Sequence, residues 1–425
     1  MIFLFLSLTK LFRDLKGYYI KKKKSIKNGK VSSSFITIFQ FSLMVFVDLY
    51  IFLKSIFLLF YLLNKKISTK VQKNPHLVHI PVWGSYYDTF SFFLMRNLLS
   101  DSNCCTAKQE GIKILFTCDL STKEKIMKNK GFLLLKECYE IEFIVFSNLF
   151  FKCLNKIRFS VLYVILGYMQ FIAAKIALVE KRGLFLFFSD VLIEEEFFKK
   201  NIELDKQGFE LVLSNTFRSN LDKIKNHLNK FSKFKGNKLA VSAQEIVNLQ
   251  CRFPHVETIN RLVSEKKSFF CWTPQFIFKK NNTLVTKTYT WTPFFISDKA
   301  LKSIKKYHLF RAVDDYFCSS YQSLTNPKKV FYVTQATELG ICELSSPGKE
   351  GVPYKRLSGS LEDLKQYMLS VFSTISLTQQ DIFSLKKGEV FKPDSPLRIP
   401  YPDLDPEWFN REILPHLRKQ VKDKN

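Results

Sequence analysis

The sequence predicts an α/β domain in which helices cover both faces of a largely parallel sheet, preceded by a basic, apolar N-terminal segment. Three observations carry this. After Lys73 the chain alternates short strand-like runs with longer helix-like ones, the pattern of a sheet layered by helices. The run Leu184 to Phe188 is uninterruptedly apolar, as strands buried on both faces of a parallel sheet are. No tandem repeat or low-complexity linker interrupts the pattern, and 425 residues suffice for one large or two ordinary domains.

Taken in order, residues 1–75 carry 14 basic residues against Asp14 and Asp48, including the run Lys21 to Lys24. Phe35 to Leu63 is long and apolar enough to cross a bilayer, at roughly 20 residues per crossing. Asp48 and Lys54 interrupt it, and an ionisable group at bilayer depth costs on the order of 3 kcal/mol. An interfacial anchor therefore competes with a true span. Basic clusters on both flanks leave the orientation open, and Met1 to Leu8 lacks the basic start of a signal peptide.

The globular part begins with a strand over Leu77 to Val82, which gives way to a turn at Gly84 and a helix from about Tyr86. Ile112 to Phe116 reads as a strand and Ser121 to Lys130 as a polar helix start. Ser160 to Glu180 has the length and apolar content of a buried helix, followed by a tight turn at Gly183, the strand Leu184 to Phe188, and Asp190. Glu210 to Ser214 is a further buried strand. Pro393, Pro396, Pro400, Pro402 and Pro406 break regular structure before a terminal helix over Trp408 to Val421. These divisions give an N-terminal segment 1–75, a central domain 76–345 and an accessory region 346–425.

The formal net charge of +27, from 65 basic and 38 acidic residues, permits an anionic partner. Its dispersion, with 44 Phe and only 14 Gly, is that of a compositional bias rather than a basic face. No nucleic-acid-binding module is present, so a nucleic-acid partner is not expected. Nine cysteines, without CxxC or zinc-finger spacing, predict reduced thiols.

Candidate functional residues sit where strands end. Ligands of open α/β sheets lie beyond the carboxyl ends of the strands, which places Asp190 at the rim of a crevice; the same position serves an Asp that caps the next helix. Gly84, in His79-Ile-Pro-Val-Trp-Gly84, can expose the following helix amides to an anion, or form an ordinary strand-to-helix turn. Asp314 and Asp315 are adjacent, so one can face a cleft as a general base while the other caps. Trp272 and Trp291, each in a Trp-Thr-Pro segment, can stack on a sugar or pack a core. His255, in Phe253-Pro-His255, can touch a phosphate or a sugar hydroxyl, or be structural.

The order of His79 to Gly84, Phe185 to Asp190, Leu211 to Asn220, Phe253-Pro-His255, Trp272-Thr-Pro274, Val313-Asp-Asp-Tyr316 and Val333 to Glu343 resembles a bacterial family of glycosyltransferase-like proteins. The resemblance covers about residues 77–345. It implies a GT-A fold, a Rossmann-like domain that binds a nucleotide-sugar donor, with Asp190 holding a divalent cation, Mg²⁺ or Mn²⁺, on the diphosphate. It further implies Asp315 or Asp314 as the base toward an acceptor. In such an enzyme Arg218, at the end of its strand in Asn215-Thr-Phe-Arg218, can pair with phosphate and supplement or replace the cation; taken alone it reads as a surface Arg. The chain departs from the pattern in offering one acid, Asp190, where the family has Asp-x-Asp. Thr290 to Pro293 stands in place of a His-containing strand, and Gln335 to Glu338 in place of a more acidic stretch. Two functions follow as expectations: sugar transfer to an unidentified acceptor, at the cytoplasmic side of a membrane or in the cytoplasm, or a membrane-anchored scaffold with a transferase-like fold and no activity.

Overall fold

The computed structural model describes residues 75–146, 160–216, 218–231, 234–263, 269–270, 275–288, 291–302, 327–346, 356–357, 360–373, 377, 379–397 and 403–422. The apolar segment 35–63, the pair Asp314 and Asp315, and Trp272 lie outside them. Among the described residues no helix is long and apolar enough to cross a membrane.

The strands are β1 (His76–Val82), β2 (Lys113–Asp119), β3 (Glu140–Phe146), β4 (Gly183–Leu186), β5 (Val191–Ile193), β6 (Leu211–Ser214) and β7 (Arg218–Asn220). They continue as β8 (Phe234–Lys235), β9 (Lys238–Leu239), β10 (Phe269–Phe270), β11 (Gln275–Lys280), β12 (Thr283–Thr288) and β13 (Thr292–Ile296). The last are β14 (Val330–Tyr332), β15 (Ile341–Ser345), β16 (Arg356–Leu357) and β17 (Glu389–Phe391).

Seven strands form the central sheet in the order β14-β6-β13-β4-β1-β2-β3. All run parallel except β13, which is antiparallel to both β4 and β6. Every residue of β1, β2 and β4 is buried, so these strands are covered on both faces, as their apolar runs predict. The helix Ser160–Glu180 packs on β1 and β4, while Leu120–Lys128 packs on β2 and β3. One continuous core joins alternate strand residues such as Val78, Ile80, Phe116, Phe185 and Phe295 to helix residues such as Leu94, Leu135 and Phe198. Gly183 starts β4 because a side chain there would strike the Phe295 ring, its Cβ only 2.8 Å from Phe295 Cε2.

β4 is the middle strand, and the connection order reverses between β1 and β4, which makes this the switch point where open sheets leave a crevice. A second sheet, β5-β15-β7, stands at that end of the molecule. Its strands β5 and β7 follow shortly after the chain leaves β4 at Leu186 and β6 at Ser214. A third, β11-β12-β17, takes its last strand from the region expected to be accessory. Helices Leu361–Ser373, Glu407–Glu412 and Leu414–Lys422 complete its core through Leu364, Phe372, Phe409 and Leu417 packed with Phe276 and Phe278.

One expectation is corrected. Cys104 and Cys138 form a disulfide, although the cysteine pattern predicts reduced thiols. The helices Asp101–Glu110 and Lys130–Cys138 lie side by side, so residues 34 apart in sequence meet with Cα atoms 5.3 Å apart, inside the range a disulfide can bridge.

Candidate functional site

The carboxyl edge of the sheet is bounded first by the turn after β1. Gly84 adopts φ +53°, a left-handed conformation that a side chain disfavours, and it starts the helix Tyr86–Phe92. Its N–H donates to Asp119 Oδ2 at 3.3 Å, tying the ends of β1 and β2 together. Asp119 also caps the helix after β2, accepting from the Thr122 N–H at 2.8 Å and the Thr122 hydroxyl at 2.7 Å. Burial alone would raise its pKa; hydrogen bonds from Ser121, Thr122 and Gly84 outweigh it and hold the carboxyl below its ordinary range.

The small sheet then aligns charges from three distant parts of the chain. Glu343 in β15 is the register partner of Val191 in β5 on one side and of Arg218 in β7 on the other. Asp190 immediately precedes Val191, and its carbonyl accepts the Leu344 N–H at 2.7 Å. Arg218 Nε reaches Glu343 Oε1 at 3.4 Å, and its Nη1 donates to Glu257 Oε2 at 2.8 Å. Tyr86 meets this group from the helix after Gly84. Burial raises the pKa of its phenol; the negative charges of Asp190 and Glu343 push it further up, and Arg218 pulls it down. The phenol therefore keeps its proton at neutral pH and is a hydrogen-bond donor. Asp190, Glu343 and Arg218 thus all bear on Tyr86, near the β1/β4 switch point.

Arg218 is held from behind. Its carbonyl accepts the His255 N–H at 3.0 Å and the Thr258 hydroxyl at 2.6 Å. His255 is fully buried: Nδ1 accepts the Glu257 N–H at 3.2 Å, and Nε2 lies 3.2 Å from the Ser346 carbonyl, so Nε2 carries the proton. Both ring nitrogens are engaged with backbone, which corrects the expectation that His255 touches a phosphate or sugar: it caps the helix Val256–Asn260 and fixes the loop behind Arg218. Trp291 is likewise a core residue, fully buried, donating to the Thr288 carbonyl at 3.2 Å and packed edge-on against Tyr332.

The structure therefore brings Gly84, Asp190 and Arg218 to one edge and sets His255 behind it; Asp314 and Asp315 lie outside the described residues. Sequence reasoning missed Tyr86, Glu343, Glu257 and Asp119 as members of this site. The signal available for Glu343 was a lone carboxylate inside the otherwise uncharged run Ile341 to Ser345.

The described charges here are the carboxylates Asp190, Glu343 and Glu257 against the guanidinium groups Arg218 and Arg261, the latter 2.5 Å from Glu257 Oε1. With the Asp119 carboxylate at the end of β2, the described negative charges exceed the positive ones by two. No group of three His, Cys, Asp or Glu suited to a metal ion occurs among the described residues. A separate cleft of about 380 Å³, lined by residues including Asp88, Phe92, Arg96 and Lys225, shares no residue with this edge. The switch point is the better candidate, because it gathers charged groups from the link between β4 and β5, from β7 and from β15.

No protein family and no curated protein matches the chain. Among solved structures it is similar to S. aureus TarS 1-349 at TM-score 0.29 and 12% identity, covering 73% of this chain and 66% of that one. The longer S. aureus TarS gives TM-score 0.27 and 13% identity, with 70% of this chain and 39% of that one covered. Mouse xyloside xylosyltransferase 1, in its apo form, gives TM-score 0.20 and 13% identity over 37% of this chain and 57% of that one. Likeness at this level carries no argument about activity or substrate.

Proposed function

We propose that the chain is a glycosyltransferase-like protein that binds a nucleotide-sugar donor at the carboxyl edge of its central sheet and moves the sugar to an acceptor. The observation that carries the reading is the convergence of Asp190, Glu343, Arg218 and Tyr86 at the β1/β4 switch point, where a Rossmann-like sheet receives a nucleotide.

In this reading Gly84 lets the donor approach the β1 turn, and Tyr86 donates a hydrogen bond to a diphosphate oxygen. Arg218 faces the diphosphate as its charge grows when the bond between the sugar's anomeric carbon and the phosphate oxygen breaks. The acceptor hydroxyl forms the new bond to that carbon, and its proton passes to Asp315 or Asp314. His255 and Glu257 act through Arg218.

The excess negative charge of the crevice opposes a bare diphosphate. Asp190 and Glu343, whose charges both bear on Tyr86, suit a Mg²⁺ or Mn²⁺ ion that arrives with the donor, since such ions commonly take one or two carboxylates and complete their shell with phosphate oxygens. Such an ion would offset the diphosphate charge. We further propose that the basic, apolar segment 1–75 attaches the protein to a membrane.

The test is a screen of the full-length protein against a panel of nucleotide sugars, with and without Mn²⁺, reading donor hydrolysis and binding. Metal-dependent turnover of one donor is expected. Binding without any turnover would favour the second reading, an inactive scaffold, to which the single acid at Asp190 in place of Asp-x-Asp also points.

A further inference from the structure

Glu389 belongs to none of the site's loops. It enters on β17, paired with Thr286 of β12, and is almost fully buried at 1% exposure. Its carboxyl accepts the Asn215 N–H at 2.5 Å and the Ser214 hydroxyl at 3.2 Å, so it grips the chain where β6 ends.

From Asn215 an unbroken path of side-chain hydrogen bonds leads to the crevice. Thr286 donates its hydroxyl proton to the Glu389 carbonyl at 3.4 Å and accepts Asn215 Nδ2 at 2.5 Å, which decides the orientation of the Asn215 amide. Asn215 Oδ1 then accepts Gln275 Nε2 at 2.6 Å, which turns Gln275 Oε1 toward Arg261 Nη1, also at 2.6 Å. Arg261 Nη2 donates to Glu257 Oε1 at 2.5 Å, and the other oxygen of Glu257 receives Arg218 Nη1 at 2.8 Å. Each link fixes the direction of the next, because an amide or a guanidinium that donates on one side presents a set face on the other.

We propose that Glu389 is a positioning residue for Arg218: it clamps Asn215, and the path through Gln275, Arg261 and Glu257 sets the direction in which the Arg218 guanidinium faces the crevice. The site is thereby controlled by a strand more than 150 residues further along the chain. The ligand-facing role of Arg218 rests on the function proposed above; the coupling of Glu389 to Arg218 does not.

The deciding experiment uses the full-length, nucleotide-free protein labelled with ¹⁵N-arginine, following the Nε–Hε signal of Arg218, identified by its loss in Arg218→Lys. In Glu389→Ala the Hε exchange should quicken at least tenfold. In Glu389→Gln, which keeps an acceptor for Asn215, it should stay near wild type. Melting curves monitor folding, and if Glu389→Ala fails to fold, Gln275→Met breaks the path at its middle and should give the same quickening. Unchanged Arg218 exchange in a folded Glu389→Ala or Gln275→Met variant overturns the proposal. Affinity for UDP with Mn²⁺ supplies a second readout: Glu389→Ala should weaken it about tenfold in the wild-type background and leave it unchanged in Arg218→Ala. Equal losses in both backgrounds overturn the coupling. If the wild-type protein binds no nucleotide, the crevice reading fails, and the Arg218 exchange still decides this one.

Discussion

At Asp190 and Asp315 the account assigns opposed roles, and kinetics can separate them. Asp190→Asn should weaken donor binding about tenfold, whereas Asp315→Asn should leave donor binding near wild type and lower turnover at least 100-fold. The split distinguishes ground-state binding from transition-state work. Initial rates over a range of donor concentrations check it, and equal effects on both parameters in both variants would sink the assignment. Glu389 gives a pH prediction. Burial is the main cause that pushes its carboxyl from 4.5 up to about 8; hydrogen bonds from Asn215 and Ser214 oppose this, and the charge of Glu338 adds to it. Between those values the folded protein keeps a proton that the unfolded chain has released. Glu389 therefore lowers stability as pH rises from 4.5 to about 8, on the order of 1.4 kcal/mol per pH unit, with no further loss above. Glu389→Gln should flatten this fall between pH 4.5 and about 8 in a melting-temperature profile. His79 works in the other direction: burial lowers its pKa from 6.5 to about 3, with its Nε2 3.0 Å from the Thr117 hydroxyl. Its unfolded form gains a proton first, so stability falls as pH drops from 6.5 toward 3, and Glu389→Gln should leave that slope intact.

Among the elements, β4 and the helix Ser160–Glu180 were legible in the sequence because one is a short unbroken apolar run and the other a long, predominantly apolar one, and length separates strand from helix. The register of the small sheet was not legible. Pairing Glu343 with both Val191 and Arg218 depends on three strands separated by long stretches of chain, and nothing local in any of them specifies it. The Trp-Thr-Pro segment around Trp291 offered a ligand platform beside the commoner role of core packing, and burial against Tyr332 makes it core. Glycine supports a sharper prediction. Gly388 has φ +67°, and a Cβ there would lie 2.5 Å from the Thr286 carbonyl oxygen, beside Glu389. Gly388→Ala should cost about 2 kcal/mol or more from conformational strain and the clash together. Chemical denaturation measures this, and a loss below 0.5 kcal/mol would mean that β17 does not sit against β12 as described. The disulfide between helices Asp101–Glu110 and Lys130–Cys138 closes 34 residues, so Cys104→Ser with Cys138→Ser should lower stability by roughly 2–4 kcal/mol under oxidising conditions.

For the whole molecule, the C-terminal residues do more than extend the domain. They supply β17, the helices that bury Phe276 and Phe278, and Glu389 itself. The proline spacing near the end made this region read as accessory, because turns mark where elements stop and not what they pack against. The central claim is that a nucleotide diphosphate binds at the β1/β4 switch point, held by Arg218 and by a cation that Asp190 helps to bind. Calorimetric titration of the full-length protein with uridine, guanosine, adenosine and thymidine diphosphates, with and without Mn²⁺, tests it most directly when repeated on Arg218→Ala and Asp190→Asn. The account predicts that one of the four binds, that Mn²⁺ strengthens its binding, and that each substitution weakens it at least tenfold, about 1.4 kcal/mol, while the fold persists. Binding of none of the four, or binding that neither substitution alters, would contradict it.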